Sequence, residues 1–514
     1  MQRSKKILIN ALFGMAGYLI LMVSNFITRS VLINQLGMSI AGVDTTFKNF
    51  LQVLSLAELG LSTGLIYKLY KPLEQKDNAA IKRVLNFYKR AYQIIAAVFM
   101  GGAFILAFAV GFVVHDSGKP FWYIWLAFVL YAADTVASYL FANRKALIVA
   151  DQNNYLVNRN DAFISLIVLI SQVTFLYLTG SFLVYAVVKI LCRLLGACLI
   201  GRKFKKMYPE IAADKSKAMI EGEERRGLIK NMGAMLCHRI GGVSVTATGS
   251  AIISAVLGTV KAGVYGNYTL ITNTLAMLVT QVFNGITASY GNVVTVESNE
   301  TVYKKFNQLY FFNYLIYSFF TVSVAVLIQP FIRFWIGGES ENFFPYRAVV
   351  ILLCYFYVHG MRRVVLMTKD TVGLYRPDRF FALIEAAINI VLSLVLVTRF
   401  KTIDGLILAN LLSMLLIPMW TQPYLVYKHV LKKSVAGYYL RYAVYAALTA
   451  AMTVLTLFLT SRFITVQNIL LELLLKALVC LVVPNGLNLL IFAKTPEMQD
   501  LITMGKSLLK RKRG

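Results

Sequence analysis

The stretch LGMSIAGV at residues 36–43 returns as LGTVKAGV at residues 257–264, so that Leu36-Gly37 and Ala41-Gly42-Val43 are answered by Leu257-Gly258 and Ala262-Gly263-Val264. Gly64 with Gly285 and Asn86 with Asn307 keep the same separation of about 221 residues, and Arg144 and Asp151 recur at nearly that distance as Arg363 and Asp370. A single identity means little in an apolar chain; a shared order and offset point to a duplicated unit. Six apolar runs separate the copies. Because six is even, both halves should share one orientation and be related by a pseudo-two-fold axis along the membrane normal.

The composition makes those runs membrane spans. The 514 residues are 58% hydrophobic and 15% charged, with a mean hydropathy of +0.65, against roughly 45–50% apolar and 25% charged in soluble domains. About 20 apolar residues cross a hydrocarbon core. By that measure about fourteen spans are expected, at 7–33, 42–67, 91–114, 121–142, 161–180, 181–201, 228–257, 262–290, 308–332, 346–361, 380–398, 403–427, 439–461 and 466–493. The predicted architecture is an all-α polytopic membrane protein. An N-terminal lobe covers 1–201, a basic linker 202–227, a C-terminal lobe 228–427, a helix pair 428–493 and a basic tail 494–514. The run beginning at Ile7 lacks a small-residue cleavage pattern and reads as a retained signal-anchor helix.

Lys and Arg outnumber Asp and Glu by 52 to 24, a net charge of +28. Nucleic-acid binders gather such charge on one face, whereas here it sits in short clusters between spans. Roughly 39 Lys and Arg fall in one set of alternate connections and roughly 7 in the other. This bias places both termini and the 202–227 linker in the cytoplasm. Phe121-Trp122-Tyr123 and Trp335 sit at the opposite interface. Lys203, Lys205 and Lys206 follow from this topology alone, although they could also meet anionic lipid. No external connection is long enough for a catalytic domain, so an enzyme is not expected. The five cysteines lack metal-site spacing and no Walker, zincin or nucleophile-elbow motif occurs, so no metal or cofactor is expected either.

Polar side chains form stripes inside the spans. Lys48, Gln52, Ser55, Glu58 and Ser62 fall within about 120° of one helix face, and Asn273, Gln281 and Asn284 within about 80° of another, with Gln52 and Asn273 equivalent in the repeat. Arg29 and Arg239 add cations to the first and seventh spans. Charges at membrane depth face a bundle interior or a watery cavity, while neutral polar residues also serve helix packing. The candidate cavity residues are therefore Arg29, Lys48, Gln52, Glu58, Arg239, Asn273, Gln281 and Asn284, with Arg144 and Arg363 as a candidate cytoplasmic gate. Asp134 and Glu385 are embedded acids to which the sequence assigns no partner. A cavity rich in cations suits a phosphate-bearing ligand and is a poor match for cationic drugs.

Five segments, in order, are similar to the bacterial polysaccharide transporter family, the lipid-linked oligosaccharide flippases of the multidrug/oligosaccharidyl-lipid/polysaccharide exporter superfamily. They are LSLAELGLSTGLIYKLYKP (54–72), ADQNNY (150–155), VYGNYTLI (264–271), ITASYGN (286–292) and PFIRFWIGGE (330–339). The resemblance implies two six-helix lobes plus a final pair and an undecaprenyl-diphosphate-linked glycan as cargo. It also implies a coupling ion, Na+ or H+, and handover to a polysaccharide polymerase and other assembly proteins. Where relatives often carry an Asp-Asn pair in span seven, this chain has Gly249-Ser250. A drug exporter or a peptidoglycan-precursor flippase of the same superfamily is the rival transporter reading; a membrane glycan polymerase or ligase is the rival enzyme.

Overall fold

The structure, a computed structural model, describes residues 3–55, 61–223, 225–226, 248–337 and 343–511. Helices account for nearly all of them, in the order α1 Arg3–Leu54, α2 Leu61–Glu74, α3 Asn78–Val113, α4 Phe121–Tyr139, α5 Ala142–Ala150, α6 Asn154–Thr179, α7 Phe182–Met207, α8 Pro209–Ala213, α9 Gly249–Leu257 and α10 Thr259–Val296. There follow α11 Asn299–Ile336, α12 Tyr346–Met361, α13 Arg363–Val372, α14 Tyr375–Phe400, α15 Ile403–Leu416, α16 Pro418–Val426, α17 Ala436–Phe463, α18 Ile469–Phe492 and α19 Pro496–Arg511. Twelve helical stretches among the described residues are long and apolar enough to cross a membrane. Two facts account for the difference from fourteen. The first two expected spans meet within α1, and span 228–257 lies mostly outside the described residues.

Glycine geometry sets the connections. Gly37 adopts φ 83°, ψ 169° inside α1 and divides it into two limbs, and Gly258 adopts φ 93°, ψ 163° between α9 and α10. The two glycines singled out by the repeat therefore share one backbone conformation that side-chain-bearing residues rarely adopt. The predicted split at Thr179-Gly180-Ser181 is likewise a turn. Gly180 closes α6 at φ 58°, and the Ser181 hydroxyl accepts from the Val184 N–H at the start of α7.

The duplication extends through the helix boundaries. α3, α5, α6 and α7 begin at Asn78, Ala142, Asn154 and Phe182, and α11, α13, α14 and α15 begin 221 residues later at Asn299, Arg363, Tyr375 and Ile403. α6 and α14 are both 26 residues long, and the left-handed Gly180 that ends the first is matched by left-handed Lys401 after the second. In this register Arg363 corresponds to Ala142. The match of Arg144 and Asp151 with Arg363 and Asp370 is thus two residues out of step, about 200° around a helix.

Contacts divide the chain into two units, Met1–Gly266 and Asn267–Gly514. In the first, the second limb of α1 crosses the start of α10 at backbone contact distance: a Cβ on Gly42 would come within 3.0 Å of the Thr259 carbonyl, and one on Gly263 within 3.0 Å of the Met38 carbonyl. Residues 38 and 42 are the repeat equivalents of 259 and 263, so the contact is reciprocal. Ser39 Oγ and Thr259 Oγ1 lie 2.7 Å apart beside it, and the Thr259 N–H donates to both oxygens of Asp116 at 3.1 and 2.9 Å. α7 continues six residues past the expected lobe boundary at 201. Beyond it the linker is tied down, because Asn86 donates to the carbonyls of Ser216 and Ala218 at 2.8 and 3.0 Å and Lys82 to those of Ile211 and Asp214. In the second unit α11 packs on the α17–α18 pair through an aromatic core in which Tyr314 stacks on Tyr445 at 4.1 Å.

Candidate functional site

Within a straight helix Arg29 and Asp44 would stand about 22 Å apart at 1.5 Å per residue. The reversal at Gly37 brings them together: Arg29 Nη1 lies 3.3 Å from Asp44 Oδ2 and donates to the Ala41 carbonyl at 2.7 Å, and Nη2 donates to the Gly263 carbonyl at 2.9 Å. Asp44 also receives Lys48 Nζ at 2.8 Å, one helical turn along the same face, and the Tyr131 hydroxyl at 2.7 Å from α4. Asp44 thus accepts from three donors while its side chain is 2% exposed; that of Lys48 is 53% exposed.

A second cluster adjoins the first. Lys189 Nζ lies 5.5 Å from the centre of the Tyr131 ring and 3.1 Å from Asp134 Oδ2. Arg193, one turn further along α7, grips Asp134 with both Nε and Nη2. Asp134 therefore has two basic partners, both from α7, neither assignable from sequence. Together the clusters hold four cations and two carboxylates, a net charge of +2, and the partly exposed members are all basic: Lys48, Lys189 and Arg193.

The level of this patch follows from helix geometry. Tyr123 and Phe182, near the starts of α4 and α7, are tied by the Phe182 N–H donating to the Tyr123 hydroxyl at 3.0 Å, and Met38 opens the second limb of α1. Asp44 lies about 9 Å along α1 from Met38 and Arg193 about 16 Å along α7 from Phe182, distances short of a hydrocarbon core of about 30 Å. Lone charges at such depth are costly, and pairing around shared carboxylates offsets the cost.

The structure places the sequence candidates as follows. Arg29 and Lys48 meet on Asp44, an acid that the stripe analysis passed over although Asp44 and Lys48 are spaced i,i+4. Gln52 is exposed one turn beyond Lys48. Glu58 and Arg239 lie outside the described residues. In the second unit Asn273, Gln281 and Asn284 are all exposed on α10, and Asn284 Oδ1 accepts from Arg363 Nη2 at 3.2 Å. Arg144 stacks its guanidinium 5.0 Å from the Phe141 ring and 5.8 Å from the Phe204 ring. Ser250 is fully buried and accepts from Asn49 at 2.7 Å, while Ser254 pairs with Thr46 at 3.1 Å. This position is a helix-packing contact. Lys189 and Arg193 were missed because the sequence reading took span six as an apolar run; two cations four residues apart within it were the available signal.

The fold matches known structures at low identity. The lipid II flippase MurJ in an inward closed conformation superposes with a TM-score of 0.66 over 96% of this chain and 100% of that one, at 12% identity. An inward-facing MATE family multidrug resistance transporter of the MOP superfamily gives 0.61 over 83% and 100%, at 11% identity. The MATE multidrug transporter DinF-BH gives 0.62 over 84% and 98%, at 14% identity. The chain has the fold of these transporters. No protein-family model and no curated protein matches it. The sequence expectation of a polytopic helical membrane protein is therefore met, and the solved structures with this fold named above are a flippase and transporters.

Proposed function

We propose that this chain is an alternating-access flippase that moves an undecaprenyl-diphosphate-linked oligosaccharide repeat unit from the cytoplasmic to the outer leaflet. The supporting observation is the net-positive cluster at hydrocarbon depth, with Lys48 half-exposed above a buried Asp44 and with Lys189 and Arg193 partly exposed beside it. Arg29 is occupied by backbone carbonyls and Asp44, so its role is to hold the acid that orients Lys48. Lys48, with Arg239 from span seven, would neutralise the diphosphate, while Gln52, Asn273, Gln281 and Asn284 offer hydrogen bonds to the glycan. Arg144 and Arg363 would close the cytoplasmic side.

Lys48→Gln and Arg239→Gln should each weaken cargo affinity about ten- to hundredfold, the equivalent of a charge-assisted hydrogen bond of roughly 1.5–3 kcal/mol. Arg239→Lys should retain part of the activity because it keeps the charge and loses the planar fork. Flipping in proteoliposomes, scored per folded molecule, is the readout. Unaltered transport by the Lys48→Gln, Arg239→Gln double variant would remove this pair as the diphosphate site.

The superposition on MurJ over 96% of the chain favours a second cargo, a lipid-linked peptidoglycan precursor. Both cargoes would present the same diphosphate to the cluster, so only their glycans differ. Vesicles loaded with each cargo decide between them: faster flipping of the precursor would overturn the oligosaccharide reading.

The orientation has its own test. With both termini and residues 202–227 cytoplasmic, a cysteine placed at Lys215 in a version lacking the native cysteines should react with a membrane-impermeant maleimide only after the cells are opened. Labelling of intact cells would invert the topology.

A further inference from the structure

A groove of about 310 Å³ opens between α6 and α7, away from the cationic cluster. Its walls divide by chemistry: Arg159, Asn160 and Lys203 at one level, Leu156, Phe163 and Leu199 around and below them. The division follows from helix spacing. Arg159 and Phe163 are four apart on α6, Leu199 and Lys203 four apart on α7, and the two helices run antiparallel through the Gly180 turn. Each helix therefore presents a cation with an apolar residue one turn, about 6 Å, deeper toward that turn.

The level of the cations decides what the groove can hold. Arg159 is 21 residues from Gly180 and Lys203 is 22 residues from Ser181, about 32 Å along each helix. A hydrocarbon core is about 30 Å thick, so with the Gly180 turn at one membrane surface both cations stand at the opposite headgroup layer. Phe163 and Leu199 then stand at the first methylenes, and Phe163 is exposed at 53%. Neither Arg159 nor Lys203 has an acidic partner among the described residues. The nearby Asp161 is taken by Lys145 at 2.8 and 3.1 Å, and Asn160 reaches it only at 3.4 Å.

We propose that this groove is a binding site for an anionic phospholipid, with the phosphate between Arg159 and Lys203 and an acyl chain along Phe163 and Leu199. A guanidinium supplies paired donors to phosphate oxygens and an ammonium a point charge, and basic pockets between helices at the headgroup level are where acidic lipids are held. The site does not depend on the cargo or on transport.

Purified protein titrated with phosphatidylglycerol or phosphatidylcholine of matched chains, followed by native mass spectrometry, tests the assignment. Phosphatidylglycerol should bind the wild type, and Arg159→Gln, Lys203→Gln should bind it about thirtyfold more weakly, the loss expected of two surface cations. Lys432→Gln, which neutralises an exposed cation elsewhere, should bind as the wild type does. Phe163→Ser should weaken binding severalfold with both cations in place, and inorganic phosphate in thousandfold excess should not displace the lipid. Both variants change outward-facing groups, and matching thermal melts confirm that they fold. Equal affinity for phosphatidylcholine, undiminished binding by the double variant, or displacement by phosphate alone would each overturn the proposal. So would displacement by an equimolar isoprenyl diphosphate, which would give the groove to the cargo.

Discussion

Gly42→Val is expected to prevent accumulation of folded protein. The position faces backbone, not a side chain that could swing aside: a Cβ there would overlap the carbonyl of Thr259 and press on the amide of Gly263. Overpacking against movable side chains typically costs 1–3 kcal/mol; here two helices must separate, against a total stability of about 5–15 kcal/mol. Separation would also break the Ser39–Thr259 contact and draw Gly263 away from Arg29. Gly42→Ala should melt well below the wild type in detergent. Gly437→Ala should not, because nothing lies within 4 Å of that position. Fluorescence-detected size exclusion after heating measures both, and a Gly42→Val protein with wild-type melting would show that the crossing is not held at backbone contact.

Asp44→Leu is expected to be nearly as damaging, for an electrostatic reason. Removing one member of a buried pair leaves the other charge without compensation, typically at 3–5 kcal/mol. Here the loss strands Arg29, which is 7% exposed and hydrogen-bonded to two carbonyls, and frees the buried hydroxyl of Tyr131. The Arg29→Met, Asp44→Leu double variant should recover much of the stability, since no buried charge remains, yet should not recover transport if Lys48 needs Asp44 for its position. Lys48→Gln gives the converse pattern. Its side chain is 53% exposed, so its loss should cost less stability than the loss of Asp44 while it impairs flipping. Equal melting of Asp44→Leu and wild type would refute the buried-pair account.

Much of the architecture was legible because membrane helices are written locally. Every span must carry its own apolar run and satisfy its own backbone hydrogen bonds, so span limits such as 346–361 and the turn at Gly180 could be read one stretch at a time. The repeat was legible for a related reason. Gly37 and Gly258 occupy a conformation that excludes most other residues, and Gly42 and Gly263 occupy a crossing that excludes a side chain. These are requirements on residue type that survive in the letters themselves.

The site was legible only in half. Arg29, Lys48 and Gln52 declared themselves as polar residues in apolar surroundings, but the groups that complete them did not. Asp44 meets Arg29 only because the chain reverses at Gly37, and Asp134 meets Lys189 and Arg193 across 55 and 59 residues. The sequence determined the helices, their repeat, and which side chains need relief from the hydrocarbon. Tertiary structure alone decided which carboxylate relieves which cation, because helix periodicity orders neighbours along one helix and says nothing of which face another helix brings against it. It is that pairing which leaves Lys48 uncovered and Arg29 spent.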